Sequence, residues 1–318
     1  MCYVKFKSVD RECVKNELTT KQWIELGNMA ADNGALTIFF TGGEPLIRED
    51  FKEIYEAYNR LGLRLNLFTN GTLVTEEFVK WLAQAPPAAV DVTLYGSSDE
   101  TYFNLCGQKS VYKKVINAIE LLIKYKINTR IKTTIVKTNL NDYKDIEYIA
   151  KSYELQFVPS NLIHGNRNTG IIDIEKERLS PEEVYKLSID DLDIVKCKNI
   201  DIENLKHCYE NIPAMFCAAG KSSFFINWKG EMVPCPLFEK PFTNPLEIGY
   251  KQAWDMLRKE ISKIPGNSEC DDCQSRAFCH VCPARLYLET GKFDGHSDYV
   301  CKLAEEKEKV IKRILLKI

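Results

Sequence analysis

Seven thiols crowd the last third of this chain. Of its 12 cysteines, Cys2, Cys13, Cys106, Cys197 and Cys208 are scattered, whereas Cys217, Cys235, Cys270, Cys273, Cys279, Cys282 and Cys301 lie close together near the C-terminus. The first residues, MCYVKFKSVDREC, lack the apolar core of a secretory signal. No stretch approaches the roughly 18 uninterrupted apolar residues of a membrane span, so the expected location is the cytoplasm and no membrane partner is expected. Structural disulfides are uncommon in that compartment, which leaves metal binding or thiol chemistry to explain the crowding.

The spacing sharpens this. Twelve residues separate Cys217 from Gly230 and four separate Gly230 from Cys235; then Cys270 to Cys282 reads C-x2-C-x5-C-x2-C, and Cys301 follows after a gap. Seven thiols suffice for two metal centres. Paired C-x2-C knuckles at Cys270, Cys273, Cys279 and Cys282 would also make a four-thiolate zinc ribbon, and knuckle spacing alone does not separate zinc from an iron-sulfur cluster.

A composition of 45% hydrophobic and 28% charged residues excludes disorder as the default, and 318 residues allow one large domain and a smaller one. A net charge of −2 gives no reason to expect nucleic acid. From about residue 17 to 160, short apolar runs alternate with amphipathic stretches, the pattern of parallel βα units. The expected strands are Leu36 to Phe40, Leu63 to Thr69, Ala88 to Gly96, Thr129 to Val136 and Leu155 to Ser160. Helices are expected near Thr20 to Asp32, Glu49 to Leu61, Thr75 to Gln84, Val111 to Tyr125 and Asp142 to Tyr153. Five such repeats make a sheet or an incomplete barrel. Ligands are expected at the C-terminal ends of its strands, at Thr41-Gly42-Gly43-Glu44-Pro45, Thr69-Asn70-Gly71 and Tyr95-Gly96-Ser97-Ser98.

Residues 161 to 212 lose the regular period, apart from a charged helical piece expected from Pro181 to Leu192. A helix is expected from Lys302 to Ile318. The division expected is therefore 1–165 for the barrel, 166–212 for a bridge, and 213–318 for the cysteine domain with its closing helix.

The cysteine pattern resembles the SPASM domain of radical S-adenosylmethionine (SAM) peptide-modifying enzymes, whose second cysteine follows a glycine after four residues, as Cys235 follows Gly230. The family commonly has three residues between its fifth and sixth cysteines; here there are two, His280 and Val281. The resemblance implies one [4Fe-4S] cluster on Cys270, Cys273, Cys279 and Cys301 and another on Cys217, Cys235 and Cys282. It gives the second cluster three ligands only. That cluster iron is then open or borrows a ligand, the nearest lender being Cys208.

The turn Thr41 to Pro45 resembles the GGEP motif after the second strand of the partial (β/α)6 barrel of radical SAM enzymes. Paired glycines let the backbone approach a ligand, and Glu44 and the carbonyls can accept from the methionine ammonium of SAM. The start, Met1-Cys2-Tyr3, resembles the end of the C-x3-C-x2-C loop that holds the SAM cluster, with Cys2 as third cysteine and Met1 packing near adenine. The first two cysteines and the first strand are absent, and Cys13 is too far along to replace them. Either the chain starts at an internal methionine of a longer protein, or it is a degenerate member; both readings imply that the chain as it stands does not cleave SAM. By the same resemblance Thr69, Asn70 and Thr93 line the SAM pocket. Cys106 stands near the place of a carboxylate-binding arginine, and Lys132 offers a substitute, although a solvated surface lysine is the plainer reading. His164, His207, His280 and His296 show no zinc-hydrolase spacing.

The resemblance implies an oxidoreductase that modifies a peptide or protein side chain through a 5′-deoxyadenosyl radical, served by a reductant such as flavodoxin or ferredoxin. The rivals are a zinc-binding interaction protein and an iron-sulfur electron carrier without SAM cleavage.

Overall fold

Short, largely apolar runs become five strands in the computed structural model, which describes residues 17–165, 174–187, 215, 217–279 and 282–315. The strands are β1 (Thr37–Phe40), β2 (Arg64–Thr69), β3 (Ala89–Thr93), β4 (Thr129–Thr134) and β5 (Gln156–Ser160). They pair in parallel in chain order, with Phe40 opposite Leu67, Thr69 opposite Val92, Thr93 opposite Lys132 and Lys132 opposite Val158. Among the described residues the sheet does not close on itself. It is the α/β architecture expected, an open arc of βα units.

The helices of this region are α1 (Thr20–Asp32), α2 (Phe51–Arg60), α3 (Glu76–Leu82), α4 (Asp99–Cys106), α5 (Tyr112–Lys124), α6 (Tyr143–Ser152) and α7 (Pro181–Leu187). Helix α5 shows why they cover one face: Val115, Ala118, Ile119 and Leu122 recur at the helical period, are fully buried and pack on β3 and β4. Each large member of that stripe contributes about 1.5–3 kcal/mol by leaving water. With Leu65, Leu67, Val90, Val92 and Ile131 they form the main core. The strand period of two then turns Asn66, Phe68, Asp91, Thr93, Arg130 and Lys132 to the other, inner face.

Helix α4 is absent from the sequence expectation because DETYFNLC carries no apolar stripe. It is held by its ends, with the Ser98 hydroxyl accepting from Thr101 N at 3.1 Å and Gly107 closing it at φ 69°. Of the piece expected from Pro181 to Leu192, the described part ends at Leu187; the rest lies outside the described residues.

The C-terminal region holds a two-stranded antiparallel hairpin, β6 (Phe225–Ile226) and β7 (Met232–Val233), and α8 (Pro245–Ile248), α9 (Tyr250–Ile261), α10 (Pro283–Thr290) and α11 (Asp298–Leu315). Helix α11 begins four residues before the expected Lys302. Helices α9 and α10 have no counterpart in the sequence expectation, because their apolar periods span few turns. Gly230 sits in the hairpin turn at φ 83°, and a Cβ there would stand 3.2 Å from Leu18, so both conformation and space call for glycine.

Candidate functional site

The GGEP turn is fastened from below. Glu44, 8% exposed, accepts from Thr69 Oγ1 at 2.8 Å and from the Leu46 N–H at 3.2 Å on one carboxylate oxygen, and from the Asn70 N–H at 2.6 Å on the other. Thr69 Oγ1 in turn accepts from the Gly71 N–H at 3.0 Å, and Asn70 Oδ1 accepts from Thr72 N and Oγ1. Burial pushes the Glu44 carboxyl above its ordinary range, against the pull of its three donors. The carboxylate is thus turned inward as a tie between the ends of β1 and β2, whereas the sequence reading had it reaching for a ligand. What faces outward is backbone: Thr41, Gly42 and Gly43 are exposed, Gly42 lies at φ 138°, and a Cβ on either glycine would meet nothing within 4 Å. This is an exposed glycine cradle at a strand end.

Thr93 ends β3 beside Lys132. Lys132 is partly buried: its Nζ stands 3.1 Å from Asp91 Oδ2 and 4.2 Å from the centre of the Phe68 ring. Asp91, 1% exposed, also receives two bonds from Arg130, Nε at 2.5 Å and Nη2 at 2.9 Å. Two cations thus share the Asp91 carboxylate on the inner face. Sequence reasoning missed Asp91 and Arg130, although an aspartate inside the apolar run AAVDVTLYG was a readable signal. It also missed Asn139, fully buried, which donates to Tyr95 O at 2.8 Å and Thr134 O at 3.0 Å and accepts from Val136 N at 2.7 Å. Asp142 Oδ2 accepts from Ser97 N at 2.7 Å. These two side chains fix the loops after β3 and β4 to one another.

The described thiols fall into two neighbourhoods. Cys235 and Cys282 pack on the apolar cluster of Met232, Val233 and Phe238; burial pushes the Cys235 thiol up to about 11, and Cys282 and Cys217 beside it push in the same direction. Cys270 and Cys279 pack instead on Leu286 and Val300. Burial likewise pushes Cys279 up to about 11, with Cys270, Cys301 and Cys273 as its thiol neighbours. A paired-knuckle zinc ribbon would take Cys282 with Cys270, Cys273 and Cys279; the fold assigns it to the other group. Among the described residues no three His, Cys, Asp or Glu side chains converge on the point that a single metal ion would occupy.

His296 lies beside the second group, Nε2 4.0 Å from Cys301 Sγ, and Cys106 is an exposed thiol at the end of α4. Met1, Cys2, Cys13, Cys197, Cys208, His207 and His280 lie outside the described residues.

The family described as "Radical SAM superfamily" matches residues 1–152. The chain is 28% identical over 307 residues to the AdoMet-dependent heme synthase of Methanosarcina barkeri (strain Fusaro / DSM 804), covering 89% of this chain and 87% of that protein. It is 26% identical over 235 residues to the sporulation killing factor maturation protein SkfB of Bacillus subtilis (strain 168), covering 73% of this chain and 56% of that one. In three dimensions it resembles Streptococcus suis SuiB bound to precursor peptide SuiA, with a TM-score of 0.70 at 20% identity over 94% of this chain and 72% of that chain. At that identity the likeness is one of fold. The GGEP cradle, at the strand end of a parallel βα arc, lies within the 152 residues that match the radical SAM superfamily.

Proposed function

We propose that this chain combines a SAM-binding barrel, residues 1–165, with an auxiliary iron-sulfur domain, residues 213–318, in an oxidoreductase that modifies a peptide or protein side chain. The observation that carries the auxiliary domain is the separation of thiols into Cys217, Cys235 and Cys282 on one side and Cys270, Cys273, Cys279 and Cys301 on the other. Two all-thiol donor sets suit [4Fe-4S] clusters. The exposed glycine cradle suits the methionine end of SAM, with Thr69, Asn70 and Pro45 shaping it. Lys132, which shares the Asp91 carboxylate with Arg130, suits the SAM carboxylate, with Thr93 beside it. When bound, SAM and its cluster supply a 5′-deoxyadenosyl radical that takes a hydrogen atom from substrate. This chain's own residues then have to bind, orient and screen. A small iron-sulfur or flavin protein serves as reductant, and the cytoplasm is the site of action; among the described residues no helix is long and apolar enough to cross a membrane.

The peptide reading is supported by SkfB, a maturation protein, and by the fold shared with peptide-bound SuiB. A second reading, a heme-forming reaction, is favoured by the longer and more identical match to the heme synthase.

Two measurements test this. Anaerobic reconstitution is expected to give a brown protein in which Cys235→Ala and Cys270→Ala each remove about four irons and leave the other set intact. A colourless protein holding zinc would overturn the cluster assignment in favour of an interaction protein. Iron retained without SAM binding would leave the electron carrier. For the substrate, 5′-deoxyadenosine formation by the natural protein is expected to depend on added peptide; dependence on a tetrapyrrole instead would establish the second reading.

A further inference from the structure

Helix α10 carries Cys282 at its N-cap and Glu289 two turns further on; helix α11 carries Cys301 and, two residues before it, Tyr299. Glu289 and Tyr299 meet one guanidinium. Arg178, 5% exposed, lies just before α7, in the segment that follows the barrel strands. Its Nη1 donates to both Glu289 oxygens at 2.8 Å and its Nη2 donates to Glu175. The guanidinium carbon sits 3.7 Å from the centre of the Tyr299 ring, whose hydroxyl donates to Leu179 O at 2.9 Å.

The barrel side presses on the same place. His164, in the loop after β5, has a side chain 8% exposed, and its Nδ1 stands 3.5 Å from Glu289 Oε1. Gly165 is so close to α10 that a Cβ would come within 2.2 Å of Leu288 O. The rigid planar fork of arginine can pair with a carboxylate and stack on an aromatic ring at once, which a lysine ammonium cannot do. Removing it leaves the buried Glu289 carboxylate with only the His164 ring beside it.

We propose that Arg178 is a positioning residue that holds α10 and α11 together, and through them sets the placing of one thiol from each cysteine group, Cys282 and Cys301. The proposal rests on the two-cluster reading above. The iron count of the wild-type protein tests that reading, whereas the difference between variants at equal folding tests the clamp.

The experiment compares Arg178→Met, Arg178→Lys and Glu289→Gln with Glu76→Gln. Glu76→Gln breaks an ion pair with Lys124 that lies on barrel helices far in sequence from either cysteine group. Iron content and the paramagnetic spectra of both clusters are read after reconstitution, and hydrogen exchange of α10 and α11 in the apo-protein. Arg178→Met is expected to alter both cluster signals, lower the iron content by about half or more, and speed exchange in both helices about tenfold. Glu289→Gln should disturb the Cys217–Cys235–Cys282 signal alone. Arg178→Lys should recover that signal and not the other, since stacking on Tyr299 is lost. Wild-type spectra and exchange in Arg178→Met, or equal losses in Glu76→Gln, would overturn the proposal. If Arg178→Met does not accumulate as folded protein, Glu289→Gln decides: an unchanged Cys217–Cys235–Cys282 signal and unchanged α10 exchange sink the clamp.

Discussion

Glu44 pairs a costly burial with three well-aimed donors, and the cost is the larger of the two. An acid whose pKa is raised on folding contributes stability that is fully present below its unfolded pKa, near 4.5, and is lost as pH rises through the raised folded value. Glu44→Gln does not titrate. The stability gap between wild type and Glu44→Gln is therefore expected to be widest near pH 4 and to narrow towards pH 7, as read from urea midpoints at each pH. A gap that widens with pH would show that the Thr69 and Asn70 bonds outweigh desolvation. Asp91 and Arg130 follow a different logic: a buried carboxylate answered by two guanidinium bonds anchors the inner face, with Lys132 as a second cation 3.1 Å from Asp91 Oδ2.

At the scale of elements, helix α1 meets α2 across Gly27. A Cβ at that position would lie 2.3 Å from Cε1 of Tyr58, a ring 5% exposed and pinned by its hydroxyl bond to Trp23 O at 2.6 Å. Tyr58 cannot swing away without breaking that bond. Gly27→Ala is thus expected to destabilise by about 1–3 kcal/mol through overpacking, although alanine favours the helix itself. The midpoint of urea unfolding checks it; a gain in stability would mean that the α1–α2 contact yields easily. The strand ends follow the same economy. The loops after β3 and β4 lack strong local preference and are fixed by Asn139 and Asp142, residues distant in sequence from Tyr95 and Ser97.

Over the whole molecule, one apolar core runs from the barrel helices through Leu179 and Val184 to Leu303 on α11, the helix that also bears Cys301. The barrel and the C-terminal helix should then unfold together. Leu303→Ala is expected to cost about 2–5 kcal/mol and to move far-UV and aromatic CD transitions by the same amount. Separate transitions would show that the C-terminal region is an independent unit. A second apolar cluster around Met232, Phe238 and Leu257 supports the hairpin and the Cys235–Cys282 neighbourhood.

The sequence alone determined the βα alternation, the strand and helix positions to within a few residues, and the GGEP turn, because periodicity and Gly-Gly punctuation are local signals. It also determined that thiols would gather in the last third. The direction of the Glu44 carboxylate, the inner-face ion pairs of Asp91 and the contacts of Arg178 were decided only by tertiary structure. In each case the deciding partner lies elsewhere in the chain, Thr69 for Glu44, Arg130 for Asp91 and Glu289 for Arg178. The division of the cysteines is the one the family resemblance implies, where spacing alone leaves Cys282 beside Cys279; Cys282 packs on the apolar cluster that also takes Cys235.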